Sequence, residues 1–304
     1  MKEKFHDLIS QASQVVLDKD TEIRLAMTCL LAGGHLLIED LPGVGKTTLV
    51  QALGKLTGLR TTRIQFTIDL LPADVLGGQV YHPQDQKFVF HQGPLFSQLV
   101  MADELNRASP RTQSALLQAM EEGEISVDGV TWKLPKPFYV IATQNPHQQT
   151  GTFPLPESQL DRFLMSLELH HASKNTEIKI FQGQDPRQLM QNLKPVLTEA
   201  EITKALQSVD EVKVSSVVAS YIGELLERSR RSGFSGQSLS TRAGMALVRA
   251  SKAWAYLEGR DYLRAEDVQA VLIPVIGHRI GGNHGIKKGR EWALVLKNET
   301  PVPL

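Results

Sequence analysis

The 304-residue sequence carries 33 Lys plus Arg against 33 Asp plus Glu, a formal net charge of zero, which leaves no overall field for a nucleic-acid backbone or an anionic membrane. Its one cysteine excludes an intrachain disulfide framework, and no apolar run approaches the roughly 20 residues that span a bilayer. The length suits about two domains, and the N-terminal MKEKFHDLISQ lacks the continuous apolar segment of a signal peptide, so the expectation is a cytoplasmic globular protein.

Phe5, Leu8, Ile9 and Ala12 have helical spacing, as do Ile23, Leu25, Ala26, Cys29 and Leu30. Two helices should therefore precede the first strand, with Gly33-Gly34 ending the second. Cys29 lies in an apolar run and reads as a buried core thiol. Leu36-Leu37-Ile38 is a short buried strand, and Leu41 to Thr47 form a glycine-bearing turn. Thr48 to Leu56 is a helix with Leu49, Val50, Leu53 and Leu56 on one face. Strand, glycine turn, Lys-Thr and helix make the layout of a phosphate-binding loop. The candidate binding residues are Pro42, Gly43, Val44, Gly45, Lys46, Thr47 and Thr48. Backbone N–H groups and the positive end of the helix converge there on phosphate oxygens. Lys46 would reach the β- and γ-phosphates, and the Thr47 hydroxyl would ligate Mg²⁺. The strict pattern asks for Gly at position 40, where this chain has Asp40, so the match begins at Gly43.

Gly58 ends that helix, and Thr61 to Phe66 reads as a strand. Asp69 to Gly78 reads as helical until Gly77-Gly78 breaks it. Val80-Tyr81 and Phe88-Val89-Phe90 flank a polar turn as a small β-hairpin. Leu99 to Ala102 is an apolar strand ending in Asp103-Glu104. Downstream of a phosphate loop, Asp103 can hold Mg²⁺ through its water shell, and Glu104 can orient and deprotonate an attacking water. The bland alternative is that both acids only start the next helix. Ser109-Pro110 supplies an N-cap and N1 proline for a helix that Gly123 ends.

Ile125 to Trp132 around Asp128-Gly129 is a second hairpin with a type I′ turn sequence. Phe138 to Ala142 is a core strand delivering Asn145 to its C-terminal end, where Asn145 could fix the water or touch the γ-phosphate. A structural turn Asn before Pro146 is the alternative. Leu155 to Phe163 is helix-like and ends on Asp161-Arg162. Arg162 is either a solvated surface residue or an arginine finger reaching a neighbouring subunit. His170 and His171 read as exposed, without ligand-spaced partners. Gln182 to Pro195 is the most linker-like segment, which divides the chain into residues 1–185 and 186–304. Beyond Thr198 the pattern is all-helical, with a capping box at Thr198-Glu201 and four helices forming a lid-like bundle. Arg242 falls in the first turn of the third, where a cation opposes the helix dipole and hints at an external anion.

GGHLLIEDLPGVGKT, QFTIDLLPADVLGG, HQGPLF, VMADELNRASPRTQSALLQAMEE, FYVIATQNP and LPESQLDRFL stand in this order, and the chain thereby resembles the MoxR family of AAA+ ATPases. The resemblance implies a P-loop αβα sandwich with a parallel sheet, then a small all-α lid. It implies Gly43 to Thr47 as Walker A, Asp103 and Glu104 as Walker B, and Asn145 as sensor 1. Arg162 would be the arginine finger and Arg242 sensor 2. ATP and Mg²⁺ are the implied cofactors, and the two hairpins look like the family's helix-2 and pre-sensor-1 insertions. The implied assembly is a homo-hexamer, a chaperone-like ATPase working beside partners with a von Willebrand factor A domain. Where the family usually has Val-Val-Gly-Gln, this chain has Val15-Val16-Leu17-Asp18, beside the region that lines the adenine pocket.

Two other functions compete. A motor on nucleic acid is disfavoured by the zero net charge and the lack of an appended DNA-binding motif. A non-catalytic nucleotide-gated scaffold is disfavoured by the intact acid pair and both arginines.

Overall fold

The computed structural model describes residues 1–39, 43–145, 151–182 and 186–303, without the side chains of residues 179, 186, 187 and 283. Two helices come first, α1 (Lys2–Val15) and α2 (Asp20–Leu31), followed by strand β1 (Leu36–Glu39) and helix α3 (Lys46–Thr57). Then come β2 (Thr61–Gln65), the short α4 (Pro72–Leu76), β3 (Gly77–His82), β4 (Lys87–Gln92) and β5 (Leu99–Asp103). Helix α5 (Pro110–Glu122) leads to β6 (Glu124–Val127), β7 (Val130–Lys133) and β8 (Tyr139–Gln144), then α6 (Glu157–Leu160) and β9 (Met165–Leu167). The rest is helical: α7 (Lys174–Phe181), α8 (Pro186–Asn192), α9 (Glu199–Asp210), α10 (Ser216–Ser229), α11 (Thr241–Leu257), α12 (Ala265–Ile280) and α13 (Gly285–Glu299).

Five strands form one sheet in the order β2-β5-β8-β1-β9, every neighbouring pair parallel. The three inner strands β5, β8 and β1 are buried along their whole length, as a parallel sheet covered on both faces requires. Alternate residues face opposite layers. Leu99 and Met101 of β5, with Leu36 and Ile38 of β1, pack among α1, α2, α3 and the C-terminal helices. Val100, Ala102 and Leu37 pack instead against Leu116, Leu117 and Met120 of α5. This period of two makes the αβα sandwich. Gly34, at the entry to β1, lies so near Leu164 that a Cβ there would fall within 2.3 Å of its side chain.

Several boundaries follow local chemistry. Ser109 Oγ accepts from Thr112 N and Pro110 opens α5, while Gly123 at φ 66° closes it. The capping box at the start of α9 is formed, with Thr198 N donating to Glu201 Oε2 at 3.0 Å and Glu201 N to Thr198 Oγ1 at 3.3 Å. Both hairpins are present, and Asp128 and Gly129 both have positive φ as a type I′ turn demands. Phe90 of β4 stacks on Trp132 of β7 with centroids 4.5 Å apart, which joins the two hairpins.

Other boundaries differ from expectation. Helix Asp69–Gly78 shrinks to the five residues of α4, because Pro72 opens it and Gly77-Gly78 already belong to β3, paired with His91 and Gln92. The helix expected over Leu155–Phe163 is only α6, since Pro154 and Pro156 hold the chain extended before it. The segment Gln182–Pro195 contains α8, and α7 precedes it. The C-terminal region holds a fifth helix beyond Thr198, α13, which packs on α12. Its predominantly polar sequence hid it, with Ile286, Gly289, Ala293 and Leu296 as its buried stripe.

Candidate active site

The C-terminal edge of the sheet carries the site. β1 lies between β8 and β9, while the chain leaves it for β2 at the far edge. Such a switch in strand order opens a crevice where ligands bind. Asp40, Leu41 and Pro42 lie outside the described residues. Gly43 and Gly45 have φ of 89° and 98°, a region that side-chain-bearing residues enter only at a cost. Gly45 is the N-cap of α3, and Lys46, Thr47 and Thr48 make its first turn. No acid stands in that turn and no side chain caps it, so its N–H groups and dipole can receive an anion from outside.

Beside the loop is a cavity of about 300 Å³. Val15, Val16 and Leu17 form one wall, Gly43, Val44 and Thr48 the inner end, and His171, Ala172 and α7 the other wall. An apolar slot opening onto a phosphate-binding loop can hold the flat base of a nucleotide.

The acids come from β5. β8 pairs with both β1 and β5, and Glu39 faces Gln144 in register while Ala102 faces Ala142. The end of β5 therefore sits two strand spacings, about 10 Å, from the strand that feeds the loop. Asp103 is buried and accepts from Thr143 Oγ1 at 2.6 Å and from Arg63 Nε at 3.1 Å. Glu104 adopts φ 55°, a left-handed conformation uncommon outside glycine. Thr143 Oγ1 accepts from Glu104 N at 2.9 Å, so one hydroxyl links both acids. The Glu104 carboxylate accepts from Gln65 Nε2 at 2.8 Å and from Asn145 Nδ2 at 3.3 Å, and Arg107 Nε stands 3.2 Å away. Asn145, itself buried, is locked by exchanging two hydrogen bonds with Asn106, at 3.0 and 3.3 Å.

Lys46, Thr47, Asp103, Glu104 and Asn145 are thus brought to one edge. Arg162 and Arg242 converge on one carboxylate, that of Glu121. Arg162 Nη2 lies 3.1 Å and Arg242 Nη2 3.4 Å from the two carboxylate oxygens of Glu121. Arg242 Nε also faces Asp161 Oδ2 at 3.3 Å, whose other oxygen accepts from Arg279 Nε at 2.8 Å. The anions that answer Arg242 here are carboxylates of the chain itself. Burial lowers the pKa of Arg279, opposed by its bond to Asp161.

Some of these residues escaped the sequence reading. Thr143 and Gln65 act on groups that neighbouring strands deliver, which spacing along their own strands does not show. Arg63, Asn106 and Arg107 gave no separate signal. His171 is exposed as expected yet lines the cavity, 123 residues beyond Thr48 in sequence. Among the described residues no group of three or more His, Cys, Asp or Glu could by itself hold a metal ion. A divalent ion at this edge would share Thr47 and Asp103 with phosphate oxygens and water, the hard donor set that Mg²⁺ takes.

Residues 35–165 match the family model described as ATPase family associated with various cellular activities (AAA), and residues 236–291 match the AAA lid domain. The chain is 41% identical over 283 residues to the uncharacterized protein YeaC of Bacillus subtilis, covering 92% of this chain and 88% of that one. It is 32% identical over 283 residues to Chaperone MoxR1 of Mycobacterium tuberculosis, covering 90% and 74%. The crystal structure of a candidate ATPase from Cytophaga hutchinsonii is similar with a TM-score of 0.89 at 32% identity, covering 100% of this chain and 96% of that one.

Proposed function

The chain belongs to the MoxR family of AAA+ ATPases, and from that premise we propose that it hydrolyses ATP to ADP and phosphate and uses the cycle to remodel partner proteins. The observation that carries this reading is the placement of a glycine phosphate loop and an acid pair on the same edge of one parallel sheet, two strands apart.

In this reading the amides from Gly43 to Thr48 and the start of α3 bind the β- and γ-phosphates, with Lys46 as the cation that meets them. Thr47 and Asp103 would hold Mg²⁺, which supplies charge neutralisation to the phosphates. Glu104 takes the proton of the attacking water, and Asn145 holds both the Glu104 carboxylate and the water near the γ-phosphate. Arg162 completes the site of the next subunit and Arg242 follows the nucleotide state from the lid; both leave Glu121 to do so. Residues 1–185 are the nucleotide-binding core and 186–304 the lid. The working form is a cytoplasmic homo-hexamer, and its partner carries a von Willebrand factor A domain.

Glu104→Gln tests the reading. It is expected to keep ATP affinity and to lose turnover by about a hundredfold or more, the usual worth of a general base. Turnover at the wild-type rate would reject the role of Glu104. Lys46→Ala should lose ATP binding itself, as read by equilibrium titration with a fluorescent ATP analogue.

A further inference from the structure

The cavity beside the phosphate loop has two walls that are far apart in sequence, and the structure ties them together at one corner. One wall is the end of α1 and the residues after it, Val15 to Leu17; the other is His171 and Ala172 leading into α7. Between them run two contacts from consecutive residues. Ser173 N donates to Asp18 Oδ2 at 2.9 Å, and Lys19 Nζ donates to His171 O at 3.4 Å. Asp18 reaches its position through a left-handed backbone, φ 58°, a turn conformation that aspartate tolerates better than most side-chain-bearing residues. Ser173 is also the N-cap of α7, its Oγ accepting from Thr176 N. Asp18 therefore holds the first turn of the helix that walls the cavity, with its charge at the favourable end of the helix dipole. Lys19 is only 5% exposed, although it is a lysine beside a surface loop.

We infer that Asp18 and Lys19 form a clasp that closes the nucleoside slot and sets how long a nucleotide stays bound, with Asp18 as the principal positioning residue. The inference rests on the reading that the slot takes the base of ATP or ADP. The clasp touches neither phosphates nor reacting atoms. It acts by keeping α7 against the α1–α2 connection, so opening it is the step that admits and releases the base. Hydrogen bonds from the Ser173 and Thr176 side chains and from Ser173 N–H hold the Asp18 carboxyl at about 2, so the tie stays charged throughout the neutral range.

The test uses the full chain and stopped-flow displacement of fluorescently labelled ADP in the presence of Mg²⁺, alongside competition by inorganic tripolyphosphate, which has no base. Asp18→Ala is expected to release labelled ADP about tenfold faster, in keeping with loss of a charge-assisted hydrogen bond at an exposed site. Its affinity for tripolyphosphate should stay within about twofold of wild type, because the loop is untouched. Ser173→Pro removes the same N–H from the other side at a native φ of −64° that suits proline, and it is read against Ser173→Ala, which gives up the Oγ cap of α7 but keeps the N–H and should release ADP more slowly than the proline variant. The proline variant should accelerate release similarly to Asp18→Ala, and the double variant should be no faster than the faster single one. Wild-type release from Asp18→Ala, or equal loss of ADP and tripolyphosphate, would overturn the clasp while leaving the ATPase reading intact. Should Asp18→Ala fail to fold, Ser173→Pro decides on the same criteria. A wild-type chain that binds no labelled ADP overturns the ATPase reading, and the clasp with it.

Discussion

The Thr143 hydroxyl donates to Asp103 and accepts from the Glu104 amide, which makes one side-chain oxygen the reference point for both acids. Geometry of this kind is worth far more than its hydrogen-bond energy, because a displacement of about 1 Å at a reacting group can cost a hundredfold in rate. Thr143→Val keeps the shape and removes the hydroxyl. It is expected to lower kcat by roughly ten- to a hundredfold while leaving the KM for ATP nearly unchanged, as steady-state phosphate release would measure. A rise in KM with normal kcat would show that Thr143 serves binding instead. The buried thiol of Cys29 belongs to the same scale: burial pushes its pKa up to about 12, so it is no nucleophile at neutral pH.

Among the elements, the attachment of α12 to the core carries the clearest electrostatic signature. Arg279 is nearly buried, and beyond its pair with Asp161 it donates to the carbonyls of Phe163 and Leu164. Taking the carboxylate away leaves a guanidinium in a poorly solvated place, a larger penalty than losing an exposed ion pair. Asp161→Asn is expected to destabilise the chain by about 2 kcal/mol in urea unfolding. A loss under about 0.5 kcal/mol would mean that the carbonyls alone hold Arg279. The same substitution frees Arg242 from one of its two carboxylates, so the lid contact and the arginine cluster are one structural unit.

For the whole molecule, acid is expected to act through buried imidazoles. His278 donates from Nε2 to Phe163 O at 3.0 Å, and burial, then the charge of Arg279, hold its pKa well below the usual 6.5. His35 sits between Met120 O and Val140 N, and burial brings it to about 4. In both cases the unfolded chain takes up a proton at a higher pH than the folded one. Their contribution to stability is therefore present above pH 6.5 and is lost as pH falls below it, for His35 down to about 4. Denaturant unfolding measured across that window should show stability falling with pH, and His278→Gln should flatten the slope. Assembly adds a test at the same scale. If Arg162 serves the neighbouring subunit, Arg162→Ala should bind ATP normally and lose turnover by about a thousandfold in the assembled ring. Normal turnover in the ring would leave Arg162 as a partner of Glu121 alone.

Much of this architecture could be read from local pattern. The loop glycines, the helix after them, the apolar strand ending in Asp103-Glu104 and the two hairpins each declare themselves within about ten residues, because they depend on backbone conformation and short-range periodicity. The strand order β2-β5-β8-β1-β9 brings Thr143 under both acids and Gln65 beside Glu104, and packing sets Ser173 against Asp18 across 155 residues. Contacts of that kind leave no trace in spacing, since the energy that selects them comes from burying one element against another. The sequence by itself determined which chemical groups the chain could bring to a phosphate; only the tertiary structure decided which of them meet, and that Arg162 and Arg242 converge on Glu121.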